Sequence, residues 1–166
     1  NWIWQIAPKA DLYGSSVFGF REDGATSTGG GIDIRWNTSY LINLDQADGL
    51  SANTWDHWAV SRDGSNLRLY KNGNYIGNSS SISDWSALDA NDCTLRLGVL
   101  ANHTLNTYFS EFRIVVGESI WTQTSGTGTL MTTSYDTTST DNVALSLLPS
   151  DASNIKFLYT GSHRIK

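Results

Sequence analysis

Catalysis on polar substrates rests most often on carboxylates, imidazoles or thiols held at set spacings, and this sequence is poor in all three. Its 166 residues include three Glu (Glu22, Glu111 and Glu118), three His and one Cys. Glu111 and Glu118 lie seven apart with no acid between them, and an odd separation puts two residues on opposite faces of a continuous strand. Glycosidic hydrolysis needs two carboxyl groups about 5–9 Å apart, a demand this pair does not meet. Neither the His residues nor Cys93 falls into a Ser-His-Asp or Cys-His pattern. The expectation is a protein that is not an enzyme and has no catalytic residue.

Binding chemistry is better represented. An aromatic face stacks on the C–H face of a sugar while amides, carboxylates and imidazoles exchange hydrogen bonds with hydroxyls. Trp85 beside Asp84, and the neighbouring pair Asn102-His103, are the candidate glycan-binding residues. Calcium needs six to eight oxygen ligands. Asp45 with Asp48, or Asp89 with Asp92, could supply only part of such a shell and read as solvated loop acids, so no metal and no cofactor is expected. Gly29-Gly30-Gly31 lacks the following helix and Lys of a phosphate cradle and reads as a turn.

The elements that must position these residues are strands. Seven Trp, seven Tyr and five Phe, with many Thr, Val and Ile, suit a pleated, half-buried surface. The length fits one domain with a core of its own. A formal charge of −5 and the absence of any basic run argue against nucleic acid. The lone Cys93 excludes an intrachain disulfide and reads as a small buried hydrophobe. No segment approaches the roughly 18 apolar residues of a membrane span, and no signal-peptide pattern is present. Asn1 without a preceding Met is the expectation for a processed, incomplete or excised N-terminus.

Along the chain, Trp2–Ile6, Ser16–Arg21, Ile32–Trp36 and Tyr40–Leu44 read as strands. Trp55–Arg62, Asn66–Lys71 and Asn74–Gly77 are separated by Asp63-Gly64 and Asn72-Gly73, which predict a three-stranded meander with type I′ turns. Thr94–Val99, Thr107–Val116, Val143–Leu148 and Ile155–Tyr159 complete the set. Twelve of the 21 residues in 122–142 are Ser or Thr, a surface connection between a body over 1–121 and strands in 143–166 that pair back onto it. Trp4, Trp55 and Trp58 are expected in the core, with Trp2 on the same face as Trp4. Trp36, Trp85 and Trp121 fall at strand ends or in loops, where a monomer is expected to expose them, and Trp121 is expected to anchor an interface.

The run from Trp55 through His57, Ala59 and Arg62-Asp63-Gly64 to Leu67-Arg68-Leu69-Tyr70-Lys71-Asn72-Gly73 resembles laminin-G-like domains of the concanavalin A-like superfamily. So do Ile3–Pro8, Leu95-Arg96-Leu97-Gly98 and the phrase Tyr108–Ile114. Trp58 departs from the smaller aliphatic residue usual at its place. The resemblance implies an all-β, two-sheet antiparallel jelly-roll sandwich. It also implies that His57 is a packed core histidine and that Arg113 anchors strands. The Glu-x-Asp-x-x-Glu phrase of the superfamily's glycosidases is absent, and no acid follows Gly98 where the calcium-binding pentraxins carry theirs. Arg113-Ile114-Val115-Val116-Gly117 with Trp121-Thr122 resembles the variant seen in phage tail and virion proteins. Its implication is a non-catalytic structural or adhesion module on a virion surface or outside the cell, with other virion subunits, further copies of itself or a cell-surface glycan as partners. The alternative is a secreted carbohydrate-binding module of a larger protein.

A tightly bound ion would stabilise the fold by mass action. Chelator should therefore leave the melting temperature unchanged in a calorimetric scan, and a loss of many degrees would show a metal held by the loop Asp pairs.

Overall fold

In the computed structural model the chain is all-β, and its strands pair antiparallel wherever their register is given. Described are residues 2–8, 18–23, 31–36, 39–44, 49–50, 54–79, 93–99, 107–115, 119, 121–122, 124–125 and 155–165. Among the described residues ten strands follow in chain order: β1 (Trp2–Pro8), β2 (Phe18–Asp23), β3 (Gly31–Trp36), β4 (Ser39–Leu44), β5 (Trp58–Asp63), β6 (Asn66–Lys71), β7 (Asn74–Ser79), β8 (Cys93–Val99), β9 (Thr107–Val115) and β10 (Ile155–Ile165). They form two compact units, Asn1–Thr54 with Asn78–Leu105, and Trp55–Gly77 with Asn106–Lys166. The strand expected at Val143–Leu148 lies outside the described residues, as do the loop acids Asp45, Asp48, Asp89 and Asp92.

The first unit is a five-stranded sheet of order β4-β3-β2-β1-β8. Period-2 alternation divides its two faces. Phe18 and Phe20 of β2 lie opposite Trp36 and Ile34 of β3, and Ile34 lies opposite Ile42 of β4. Phe18, Phe20, Ile32, Ile34 and Ile42 are buried. Trp4 meets Phe18 edge-on at 5.4 Å and stacks on Phe20 at 6.4 Å. Burial of these side chains from water, at about 1.5–3 kcal/mol each, is the main drive for this face. Trp36, expected exposed, is half-buried at the end of that row.

Strict alternation would place Trp2 beside Trp4. Instead the β1–β2 register slips by one residue, so that Trp2 lies opposite Arg21 while Trp4 lies opposite Phe20. Such a bulge re-aims the side chain next to it. The Trp2 ring is carried to Gly19 and Arg21, away from the Phe residues that hold Trp4.

The second unit holds the meander β5-β6-β7 and the pair β9–β10. The two hairpins turn differently. Gly64-Ser65 links β5 and β6 with positive φ at Gly64 alone (57°), the type II′ pattern with Gly in first place. The expected type I′ turn at Asp63-Gly64 is corrected here, because Asp63 pairs with Asn66 as the last strand residue. Asn72-Gly73 is positive at both residues, 50° and 80°, as type I′ requires. Asn72 also clamps the strand lead-in. Its Oδ1 accepts from the His57 backbone N–H at 2.8 Å, its Nδ2 donates to Asp56 Oδ1 at 2.8 Å, and its own N–H donates to the His57 carbonyl at 2.8 Å.

Leu67, Arg68, Leu69 and Tyr70 are buried in succession, so both faces of β6 are covered. Tyr70 packs against Trp121 at 5.3 Å and Tyr75 at 5.9 Å. Trp55 is the reverse case. Expected in the core, it is 66% exposed, and it lies ahead of β5, which begins only at Trp58. His57 also precedes the strand, and it packs on Trp121 at 5.6 Å.

Burial raises the Tyr70 phenol above its ordinary 10.0, with Arg68 opposing and Tyr75 adding to the effect. The unfolded chain therefore sheds this proton first, and stability falls as pH rises past about 10. In urea titrations, Tyr70→Phe should show a shallower alkaline loss than the parent chain. Equal slopes would count against a desolvated phenol.

Candidate functional site

The face of the five-stranded sheet opposite Phe18 and Phe20 is polar, and its residues stand in register. Arg96 of β8, Gln5 of β1, Gly19 of β2, Arg35 of β3 and Tyr40 of β4 are successive cross-strand partners. One pairing step away, Trp2, Arg21, Asp33 and Asn43 form a second row. Alternation in Phe18-Gly19-Phe20-Arg21 and Ile32-Asp33-Ile34-Arg35 sends every second residue to this side.

At its centre Asp33 is fully buried. Arg21 donates to Asp33 Oδ2 from Nε at 3.1 Å and from Nη2 at 3.0 Å, and Arg35 Nε donates to Oδ1 at 3.1 Å. Both arginine side chains keep some solvent access, with exposures of 22% and 16%. A buried carboxylate persists only when its desolvation is offset by such contacts. With both oxygens engaged, Asp33 is a poor candidate for carrying a proton or attacking a substrate.

The same arginines order two aromatic rings. The Arg35 guanidinium lies 3.9 Å from the Tyr40 ring centroid, while Tyr40 remains 49% exposed. Stacking pins the ring and leaves open surface beside a fixed charge. Arg21 sits 6.0 Å from the Trp2 centroid. Trp2 in turn lies over Gly19, where a Cβ would come within 2.9 Å of its ring and 2.5 Å of the Trp4 carbonyl oxygen. Glycine is thus required by close approach. The resulting surface combines two ordered aromatic rings with several N–H donors, the chemistry that holds a polyhydroxylated ligand by C–H stacking and directed hydrogen bonds.

The site residues expected from sequence fall elsewhere. Asp84, Trp85, Asn102 and His103 lie outside the described residues. Trp121 is described, and its expected exposure is corrected: it is 7% exposed, packed on Tyr70 and His57. Ser119 next to it bonds Ser61 of β5 and the Trp121 carbonyl. Trp121 follows β9 in chain order but fills the core of its own unit, which leaves little of its surface for a partner. Sequence reading missed the Arg21–Asp33–Arg35 cluster. The charges alternating with Phe and Ile in β2 and β3 were its available signal.

A second polar group, Asp56 with Asn72 and Lys71, lies at the meander. Lys71 Nζ stands 3.5 Å from Asp56 Oδ2 and 5.2 Å from the Trp58 ring. Its bonds run between the turn and the strand lead-in, which makes it a structural clamp. Among the described residues, no three His, Cys, Asp or Glu gather as a metal-binding group.

A laminin-G-like family model, described as the concanavalin A-like lectin/glucanases superfamily, matches residues 13–118. No curated protein and no solved structure matches the chain.

Removing one partner of a buried ion pair typically costs about 3–5 kcal/mol. Asp33→Ala, which strands two guanidinium groups, should lose stability near the low end of that range because both retain water access. Arg21→Gln should cost less, since Arg35 still holds the carboxylate. Urea denaturation of the two variants orders them, and an undiminished Asp33→Ala midpoint would refute the central role of the pair.

Proposed function

Because the chain belongs to the concanavalin A-like lectin/glucanase superfamily, whose fold class is the all-β jelly-roll sandwich, we propose that it is a non-catalytic glycan-binding adhesion module. The observation that carries this reading is the half-exposed Tyr40 ring, held against Arg35 on a face that also orders Trp2 over Gly19. A stacking surface fixed before the ligand arrives reduces the ordering cost of binding.

The non-catalytic part of the reading is supported by how two of the described acids are used. Asp33 is locked between two arginines, and Asp56 is tied to Asn72 and Lys71. The setting we propose is a virion surface, with further copies or other virion subunits as neighbours. Support for that setting is the Arg113–Gly117 phrase with Trp121-Thr122, together with a sequence rich in Ser, Thr and Asn and with only 16% charged residues. A virion component co-purifies with particles, whereas a secreted module does not.

Tyr40→Ala should weaken retention on a glycan-bearing column by roughly 1–3 kcal/mol, the scale of truncating an anchoring aromatic. Its melting temperature should move little, because half of the ring already faces water. Unchanged retention by a folded variant would overturn the assignment of this face.

A further inference from the structure

Independently of the glycan-binding reading, we infer that Asn72 is a gated deamidation site. The folded meander guards its carboxamide, and once the amide is lost the clamp on the β5 lead-in does not re-form. Asn72-Gly73 is the one Asn-Gly pair in the sequence. In such a pair the Gly backbone nitrogen attacks the Asn side-chain carbon Cγ, with no Gly side chain to obstruct it. The bond from Cγ to Nδ2 breaks, the Gly N–H proton leaves with that nitrogen as ammonia, and a cyclic imide remains. Water then opens the imide at either carbonyl. One opening gives an aspartyl residue and the other an isoaspartyl link, and each leaves a carboxylate in place of the amide.

The fold holds the first step off. Asn72 Oδ1 accepts from the His57 N–H at 2.8 Å and Nδ2 donates to Asp56 Oδ1 at 2.8 Å, so the carboxamide is tied at both ends to the strand lead-in. The backbone is held as well, by the bond from the Asn72 N–H to the His57 carbonyl and by the positive φ of the type I′ turn, 50° at Asn72 and 80° at Gly73. Swinging Cγ onto the Gly73 nitrogen requires both side-chain bonds to break, so the reaction runs from a locally opened meander.

The second half of the inference is that the change is one-way. Where Nδ2 donates, a carboxylate offers only acceptors. Oxygen would then meet Asp56 Oδ1 at the 2.8 Å now spanned by a hydrogen bond, a contact two ionised carboxylates do not share. Lys71 Nζ, 3.5 Å from Asp56 Oδ2 and 5.2 Å from the Trp58 ring centroid, offsets one of the two charges. His57, the other titratable group of the lead-in, packs on Trp121. Loss of the amide therefore loosens the segment that carries Trp55 and seats His57.

The test incubates the full chain in mildly alkaline buffer with and without urea and follows residue 72 by peptide mass mapping. Conversion should be at least about tenfold slower in the folded chain, as expected when reaction waits on local opening. Asn72→Asp reproduces one product, and Asn72→Gly removes both side-chain bonds while tolerating positive φ. At neutral pH Asn72→Asp should have a lower urea midpoint than the parent chain. That gap should narrow as pH falls to about 4, where one of the paired carboxylates takes up a proton, because the folded variant then binds more protons than its unfolded chain. The gap of Asn72→Gly should not narrow in this way. Equal conversion rates with and without urea overturn the gating. An Asn72→Asp midpoint equal to the parent's at neutral pH, or a gap that acid does not narrow, overturns the one-way loss of the clamp. If Asn72→Asp does not fold at neutral pH, its recovery on acidification decides.

Discussion

A carboxylate with no access to water governs the polar face of the first sheet. Asp33 is fully buried on β3, and its charge is compensated by Arg21 from the neighbouring strand and Arg35 from its own. Both arginines are placed by strand register, Arg21 directly across from Asp33 and Arg35 two residues along. A slip of one residue between β2 and β3 would carry the charged set into the Phe and Ile face and strand the carboxylate. The ion cluster therefore acts less as net stabilisation than as a penalty on wrong pairings, because unpaired buried charge costs more than paired charge returns. The aromatic order follows from it. Held by Asp33, Arg35 lies against Tyr40 and Arg21 lies near Trp2.

The β-bulge in β1 is the second constraint. It divides two tryptophans that the primary structure sets two residues apart, giving Trp4 to the apolar face and Trp2 to Gly19 and Arg21. The consequence is an amphipathic sheet with aromatic rings on both sides for different purposes. Those on one side pack against Phe, and those on the other lie against guanidinium groups.

Much of the strand order was legible, because it is written in local signals. Asn72-Gly73 flanked by alternating residues can hardly be anything but a tight hairpin, and β6 and β7 are there. The fold class followed from turn chemistry and from the Trp55–Gly73 phrase. Tryptophan placement was less legible, because burial is decided by what lies across from a residue and not by what precedes it. Trp55 looked like strand interior, yet β5 starts three residues later, so it is exposed. Trp121 looked like a loop residue, yet Tyr70 and His57 receive it. The polar face was missed for the same reason. Arg21 and Asp33 are twelve residues apart, and only the β2–β3 register makes them neighbours.

Each unit is assembled from two separate stretches of chain, and this bears on the order in which a nascent chain can mature. The β5-β6-β7 meander closes over two-residue turns, and its strand pairing lies wholly within 58–79. Strand β1, by contrast, gains its second neighbour only when β8 at 93–99 has emerged, so until then one side of β1 is an open hydrogen-bonding edge. Short-range hairpins form in microseconds, while long-range pairing waits on closure of large loops. On the ribosome, the strands of the meander can thus pair while the sheet bearing Asp33 still lacks its last strand, and until β8 emerges that open edge is exposed to pairing with a neighbour.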